Sequence, residues 1–278
     1  MLRWQVGDTT ITRVADDDFE LLVPQDDATA TALRSQASWL YPSFVTDAFD
    51  LLVGSSALAV ETPGARVVVD PWLAFDDPDR TTPEAVARID RLLTRLSDAG
   101  FAPESVDVVI DTHIDGVGVN TRPTGDGEVP AFLNARYVIA PEEIAALQGG
   151  LFPGAEPYEV LVERGMVDET DGPVVGEVAT ERAPGHSRGH RFVRIGPPGD
   201  DAVVVGHLFL HPAQVFSPEP RPGLDEDIET AGRTRAAFLR RAADEGTLLI
   251  GPLWATPGAG TVVAGDEPGR WQLVPAGT

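Results

Sequence analysis

The chain has 278 residues with 42% hydrophobic residues, enough for a sizeable buried core. Its formal charge is −23 and its basic residues are all arginine, a surface that repels phosphate backbones and anionic lipid, so nucleic acid and membrane are poor partners. Cysteine is absent, which excludes disulfides and thiolate metal sites. No apolar run approaches a membrane span. The opening residues lack the pattern of a secretory signal, so a cytoplasmic location is expected. The acidic runs Asp16-Asp17-Asp18, Asp76-Asp77-Pro78-Asp79 and Asp225-Glu226-Asp227 read first as a solvated face, with cation binding as the alternative.

Strand-like and helical segments alternate along the chain. Thr9–Val14 reads as a strand, and Ala57–Glu61 with Val67–Asp70 as a hairpin turning at Thr62-Pro63-Gly64. Thr82 is placed to cap a helix that starts at Pro83, carries Val86, Ile89, Leu92, Leu93 and Leu96 on one face, and stops at Gly100. Val106–Ile110 is a short apolar strand leading to Asp111-Thr112-His113. A strand over Arg136–Ile139 precedes a short helix from Pro141 through Leu147. Residues 149–172 are less regular, with helical character over Tyr158–Gly165. Strands at Phe192–Ile195 and Ala202–Val205 flank the turn 196–200. A helix from about Asp227 to Ala243 stops at Gly246, and strands at Thr247–Ile250, Thr261–Ala264 and Trp271–Val274 close the chain. No Pro/Gly/Ser-rich linker divides it. The order fits an α/β fold of two sheets covered by helices, in one domain over 1–278.

The five histidines carry the chemical signal. His113 ends a strand. His186 and His190 lie in Pro184-Gly185-His186-Ser187-Arg188-Gly189-His190, and His207 and His211 in Gly206-His207-Leu208-Phe209-Leu210-His211. Loops at strand ends are where α/β folds place reactive groups, and neutral imidazole is the commonest metal ligand. These elements, with Val6–Val14, Val67–Asp70, Asp107–His113, 117–121, Asn134–Tyr137 and Ala255–Gly260, resemble a metallo-β-lactamase superfamily hydrolase, in the group that includes lactonases and related esterases. The resemblance runs over nearly the whole chain. It implies a four-layer αββα sandwich and a site in which two divalent ions share a hydroxide that attacks a carbonyl.

The family motif is Thr-His-x-His-x-Asp-His, followed by a later His, a bridging Asp and a C-terminal His. In this chain the first His matches His113, the motif Asp is best matched by Asp115, and the later His matches His186. The segment Thr112–Gly118 is two residues short, so the second His is missing and Gly116 stands for the next one. His207 occupies the place of the bridging Asp, and Leu253 falls near the C-terminal His. Asp70-Pro71-Trp72 replaces the usual Asp-Thr-Gly. A neutral imidazole is a poor bridge between two dications, so at most one metal is expected.

His113, His186 and His207, with Asp115 as a further ligand, could hold one zinc or similar ion; the alternative is hydrogen-bonded remnants around a metal-free pocket. Asp115 and His207 are the candidate acid–base pair, although Asp115 could simply cap a turn. Trp72 and Trp254 suit either a substrate wall or core packing, and Arg188 either a substrate carboxylate or one of the many acids. His190 and His211 read as supporting residues. The expected ligand is a small molecule. Three functions remain open: a mononuclear or altered hydrolase of a small ester, lactone or amide; a metal-free isomerase or cyclase; and a non-catalytic binding protein.

Overall fold

A computed structural model describes residues 1–16, 20–72, 79–114, 118–125, 127–149, 156–216, 225–266 and 269–276. Two seven-stranded sheets form its centre. The first is built from strands between Arg3 and Asp168, in the order Arg3–Val6, Thr9–Ala15, Ser56–Thr62, Ala65–Val69, Val108–Ile110, Arg136–Val138, Val167–Asp168. The second follows in sequence: Pro173–Val175, Val178–Arg182, Arg191–Ile195, Ala202–Val204, Leu248–Ile250, Ala259–Ala264, Trp271–Pro275.

Side-chain alternation sorts these strands into layers. Val67, Val69, Val108 and Ile110 of the first sheet share one core with Val193, Ile195, Val204 and Ile250 of the second. The intervening Val68 and Val109 face the opposite way and pack with Ile89, Leu92 and Leu96 of the helix Pro83–Asp98. On the far side, Phe192, Val203 and Leu249 pack with Phe238 and Leu239 of the helix Ile228–Glu245. The result is the helix–sheet–sheet–helix arrangement that the element order implied.

The helix boundaries follow from the caps. The Thr82 hydroxyl accepts from the Ala85 amide with Pro83 in the first turn, and Asp227 accepts from the Thr230 amide. Ala85, not Val86, completes the buried face of the first helix. The buried stripe of the second is Ala231, Arg235, Phe238, Leu239 and Ala242, so an arginine stands in an apolar row.

Parallel pairing in the first sheet joins Val67–Val69 to Val108–Ile110, Val108–Ile110 to Arg136–Val138, and Arg136–Val138 to the edge strand Val167–Asp168; in the second sheet it joins Ala202–Val204 to Leu248–Ile250. Parallel strands present their carboxyl ends at one edge, where such sheets place ligands. Asp70 follows directly from one of these ends, and His113 and His207 each lie three residues beyond another.

Candidate metal centre

His113 is fixed before any metal is considered. Asp70, in the left-handed region at φ 47°, directs its carboxylate at the next strand end. It accepts from the Thr112 amide at 2.8 Å and from the Thr112 hydroxyl at 2.9 Å. That hydroxyl has a single proton, spent on Asp70, so at its 3.1 Å contact with His113 Nδ1 the ring must donate. The proton therefore sits on Nδ1 and His113 Nε2 carries a free lone pair.

That lone pair faces His207 Nδ1 at 3.1 Å. His207 rides on the short 3-10 turn Gly206–Phe209. Gly206 is required there: its φ is 53°, and a Cβ would lie 2.4 Å from His190 Nε2 and 2.7 Å from Thr112 Oγ1. His190 supports the turn, because its Nε2 accepts from the Leu208 amide at 3.2 Å. His211 is buried and also supporting, with Nδ1 accepting from the Ala213 amide and Nε2 donating to the Phe44 carbonyl at 2.8 Å.

His186 completes the cluster. Its ring centroid lies 4.8 Å from that of His113 and 5.4 Å from that of His207. One nitrogen from each of His113, His186 and His207 falls within 4.8 Å of the others. Glu143 staples the two loops that bring His113 and His186 together. Its buried carboxylate accepts from the Ile114 amide at 3.0 Å, the Ser187 hydroxyl at 2.6 Å and the Gly189 amide at 2.8 Å. A Cβ at position 189 would lie 2.4 Å from that carboxylate, so glycine is needed for the approach.

The electrostatics favour the neutral form of His113 and His190. Burial, then the neighbouring His207, His186 and His190, holds His113 well below the ordinary histidine range, and His190 is lowered mainly by burial as well. Neutral imidazoles with directed lone pairs are the form a metal requires. Trp72 covers one side, edge-on to His113 at 4.5 Å and to His207 at 4.8 Å. Behind it the wholly buried Asp111 accepts from Asn120 Nδ2 at 2.6 Å. Burial, reinforced by Asp70, raises Asp111 well above the usual carboxylate range.

Comparison with solved structures places this architecture. A hydrolase, AbOPH, in the β-lactamase superfamily aligns with a TM-score of 0.76 at 19% identity, over 99% of this chain and 97% of that one. AidC, a dizinc quorum-quenching lactonase in complex with its homoserine product, aligns at 0.75 with 15% identity, over 100% and 97%. The chain has the metallo-β-lactamase fold. A probable metal-dependent hydrolase from Staphylococcus aureus aligns at 0.67 with 15% identity, over 99% and 100%. No protein-family model matches the chain, and no curated protein matches it by sequence.

Within this metallo-β-lactamase fold the structure brings His113, His186 and His207 together; among the described residues they are the group of potential ligands close enough to share an ion. Asp115 and Gly116 lie outside the described residues. Leu253 is half-buried, and its carbonyl accepts from the Gly54 amide. Two pocket expectations are corrected. Arg188 is 75% exposed and pairs with Glu226 at 2.6 Å, as expected where an exposed cation has an acid nearby. Trp254 is fully buried, with its indole N–H donated to the Phe209 carbonyl at 2.8 Å, so its area is used in the core. In the acidic runs the solvated reading is corrected at Asp16, which pairs with Arg88 and Arg95, and at Asp225, which is buried against Arg235; Asp79, Glu226 and Asp227 are exposed, and Asp17, Asp18, Asp76 and Asp77 lie outside the described residues.

Sequence reasoning missed Glu143, Asp225 and Arg235. Burial opposes the Asp225 charge, but His186 and Arg235 together hold its carboxyl below the usual range. The available signal was Arg235, which interrupts an otherwise apolar helical stripe.

Proposed function

We propose that this chain is a hydrolase of a small ester, lactone or amide, with one divalent ion, zinc or similar, held by His113, His186 and His207. The 3.1 Å approach of His113 Nε2 to His207 Nδ1 carries this reading. Two ligands of one tetrahedral ion with bonds of about 2.0–2.1 Å lie ~3.3 Å apart, so this pair already stands near the required separation. When bound, such an ion supplies Lewis acidity, polarising a carbonyl and acidifying water at its open position.

The chain's own residues supply the rest. Asp70 and Thr112 hold the His113 tautomer, Trp72 keeps water from one side, and Asp115, next along the chain from Ile114, is the proposed general base or additional ligand. The net charge of −23 supports a small molecule rather than nucleic acid or an anionic membrane as partner. Among the described residues no helix is long and apolar enough to cross a membrane. The proposed location is the cytoplasm.

The same contact supports a second reading, since two buried imidazoles at 3.1 Å can share a proton and run acid–base chemistry without metal. A panel of small esters and lactones, assayed before and after exhaustive chelation, separates the two. The metal reading requires activity that disappears with the ion and returns on adding it back. Activity indifferent to chelation would transfer the assignment to the second reading.

A further inference from the structure

Arg235 and Asp225 form a buried ion pair, with side chains 0% and 1% exposed. Both guanidinium nitrogens of the fork are used: Nη1 reaches Asp225 Oδ2 at 2.9 Å and Nη2 reaches Oδ1 at 2.8 Å. A pair of this kind is no more stabilising than an apolar pair of the same volume, because both charges lose their water. Its connections lead to the metal centre. Asp225 Oδ1 lies 3.4 Å from His186 Nδ1. Arg235 Nε donates to the Leu208 carbonyl at 2.5 Å, one residue beyond His207. The loop bearing His186 is also tied to the Asp225 segment through the backbone, with the Glu226 amide on the His186 carbonyl and the Asp227 amide on the Gly185 carbonyl.

We infer that Asp225 is the positioning residue of the metal centre, held in place by Arg235. Its carboxylate accepts the His186 Nδ1 proton, which leaves Nε2 as the ligand atom, and Arg235 fixes the turn of His207 through Leu208. Carboxylate–imidazole–metal arrangements raise ligand basicity and restrict ring rotation, and losing such a partner costs ~10–100-fold in metal affinity. The inference rests on the three-histidine reading, but part of it can be tested without metal.

The experiment uses the full-length protein, stripped of metal, as wild type, D225N and D225A. Nitrogen-15 NMR of the imidazoles reads the His186 tautomer directly, and titration with Co²⁺ reads affinity through its ligand-field absorption. Wild type is expected to show His186 protonated on Nδ1. D225N keeps the volume and one acceptor oxygen, so it should retain that tautomer and lose ~10-fold in Co²⁺ affinity. D225A should show mixed tautomers and lose up to ~100-fold. If D225A fails to fold, D225N alone decides the affinity question. A wild-type His186 protonated on Nε2, or a D225N variant with wild-type Co²⁺ affinity, overturns the inference. Should wild type bind no Co²⁺, the three-histidine reading fails on its own, and the tautomers of wild type and D225A decide the rest.

Discussion

His113 Nε2 and His207 Nδ1 stand 3.1 Å apart, and the two histidines are 94 residues apart in sequence. Each is delivered by the carboxyl end of a parallel strand, one from each sheet. Their meeting therefore depends on how the sheets face each other. It also defines what a dication must do: replace the proton between them. The three-ligand account predicts that H113A and H207A each reduce Co²⁺ affinity by at least ~100-fold, while H190A and H211A change it less than ~10-fold and act mainly on stability. Equal losses from all four substitutions would show that the effect is general to the fold.

Glu143 is the structural counterpart of that pair. E143A leaves the Ile114 amide, the Ser187 hydroxyl and the Gly189 amide without their acceptor. Unsatisfied buried donors cost roughly 1–3 kcal/mol each, so a loss of about 3–5 kcal/mol is expected in urea unfolding. A loss below about 1 kcal/mol would mean that these loops hold their places without the carboxylate.

Gly206→Ala tests the turn beneath His207. A methyl group must enter space 2.4 Å from His190 Nε2, on a backbone with φ 53°. The left-handed conformation alone costs about 1–2 kcal/mol for a residue with a Cβ, and the collision adds to it. The variant should unfold at lower urea and bind Co²⁺ more weakly than wild type. Unchanged values for both would place the turn elsewhere.

The buried histidines set the acid side of the stability profile. Burial keeps His113 and His190 below their unfolded value near 6.5, so the unfolded chain takes up protons that the folded chain refuses. Metal-free protein should be fully stabilised above that pH and lose stability as the pH falls through it. Asp111 acts with the opposite sign. Its raised value makes folding favour the protonated acid, so stability declines as pH rises through the folded pKa. D111N should remove that decline with rising pH. Urea midpoints measured between pH 5 and 9 check both limbs, and a flat wild-type profile would contradict them.

Much of this architecture was legible in the sequence, and the failures have physical causes. Val67–Val69 read as a strand because apolar β-branched residues follow a tight turn, and Thr82-Pro83 marked a helix start. The strand Val178–Arg182 did not, since its Glu181 and Arg182 are drawn into ion pairs with Arg194, Arg241 and Glu142 that only the folded chain supplies. The helix Asp27–Arg34, composed largely of Ala and Thr, buries only Ala30 and Leu33 and was missed as well. The histidines stood out because they are few and clustered. Asp225 did not, because one acid within an acidic run looks solvated until the Arg235 that buries it is brought alongside. Glu143 was hidden for the same reason: two of its three donors are backbone amides, which have no sequence signature.

The central claim is one ion on three histidines. Purified protein incubated with excess zinc, freed of unbound metal and measured by elemental analysis, with anomalous scattering at the zinc edge from crystals of the same sample, tests it directly. The account predicts one equivalent per chain and one peak among His113, His186 and His207. Two full-occupancy peaks about 3.5–4 Å apart, the spacing of a two-metal site, or no peak at all, would contradict it.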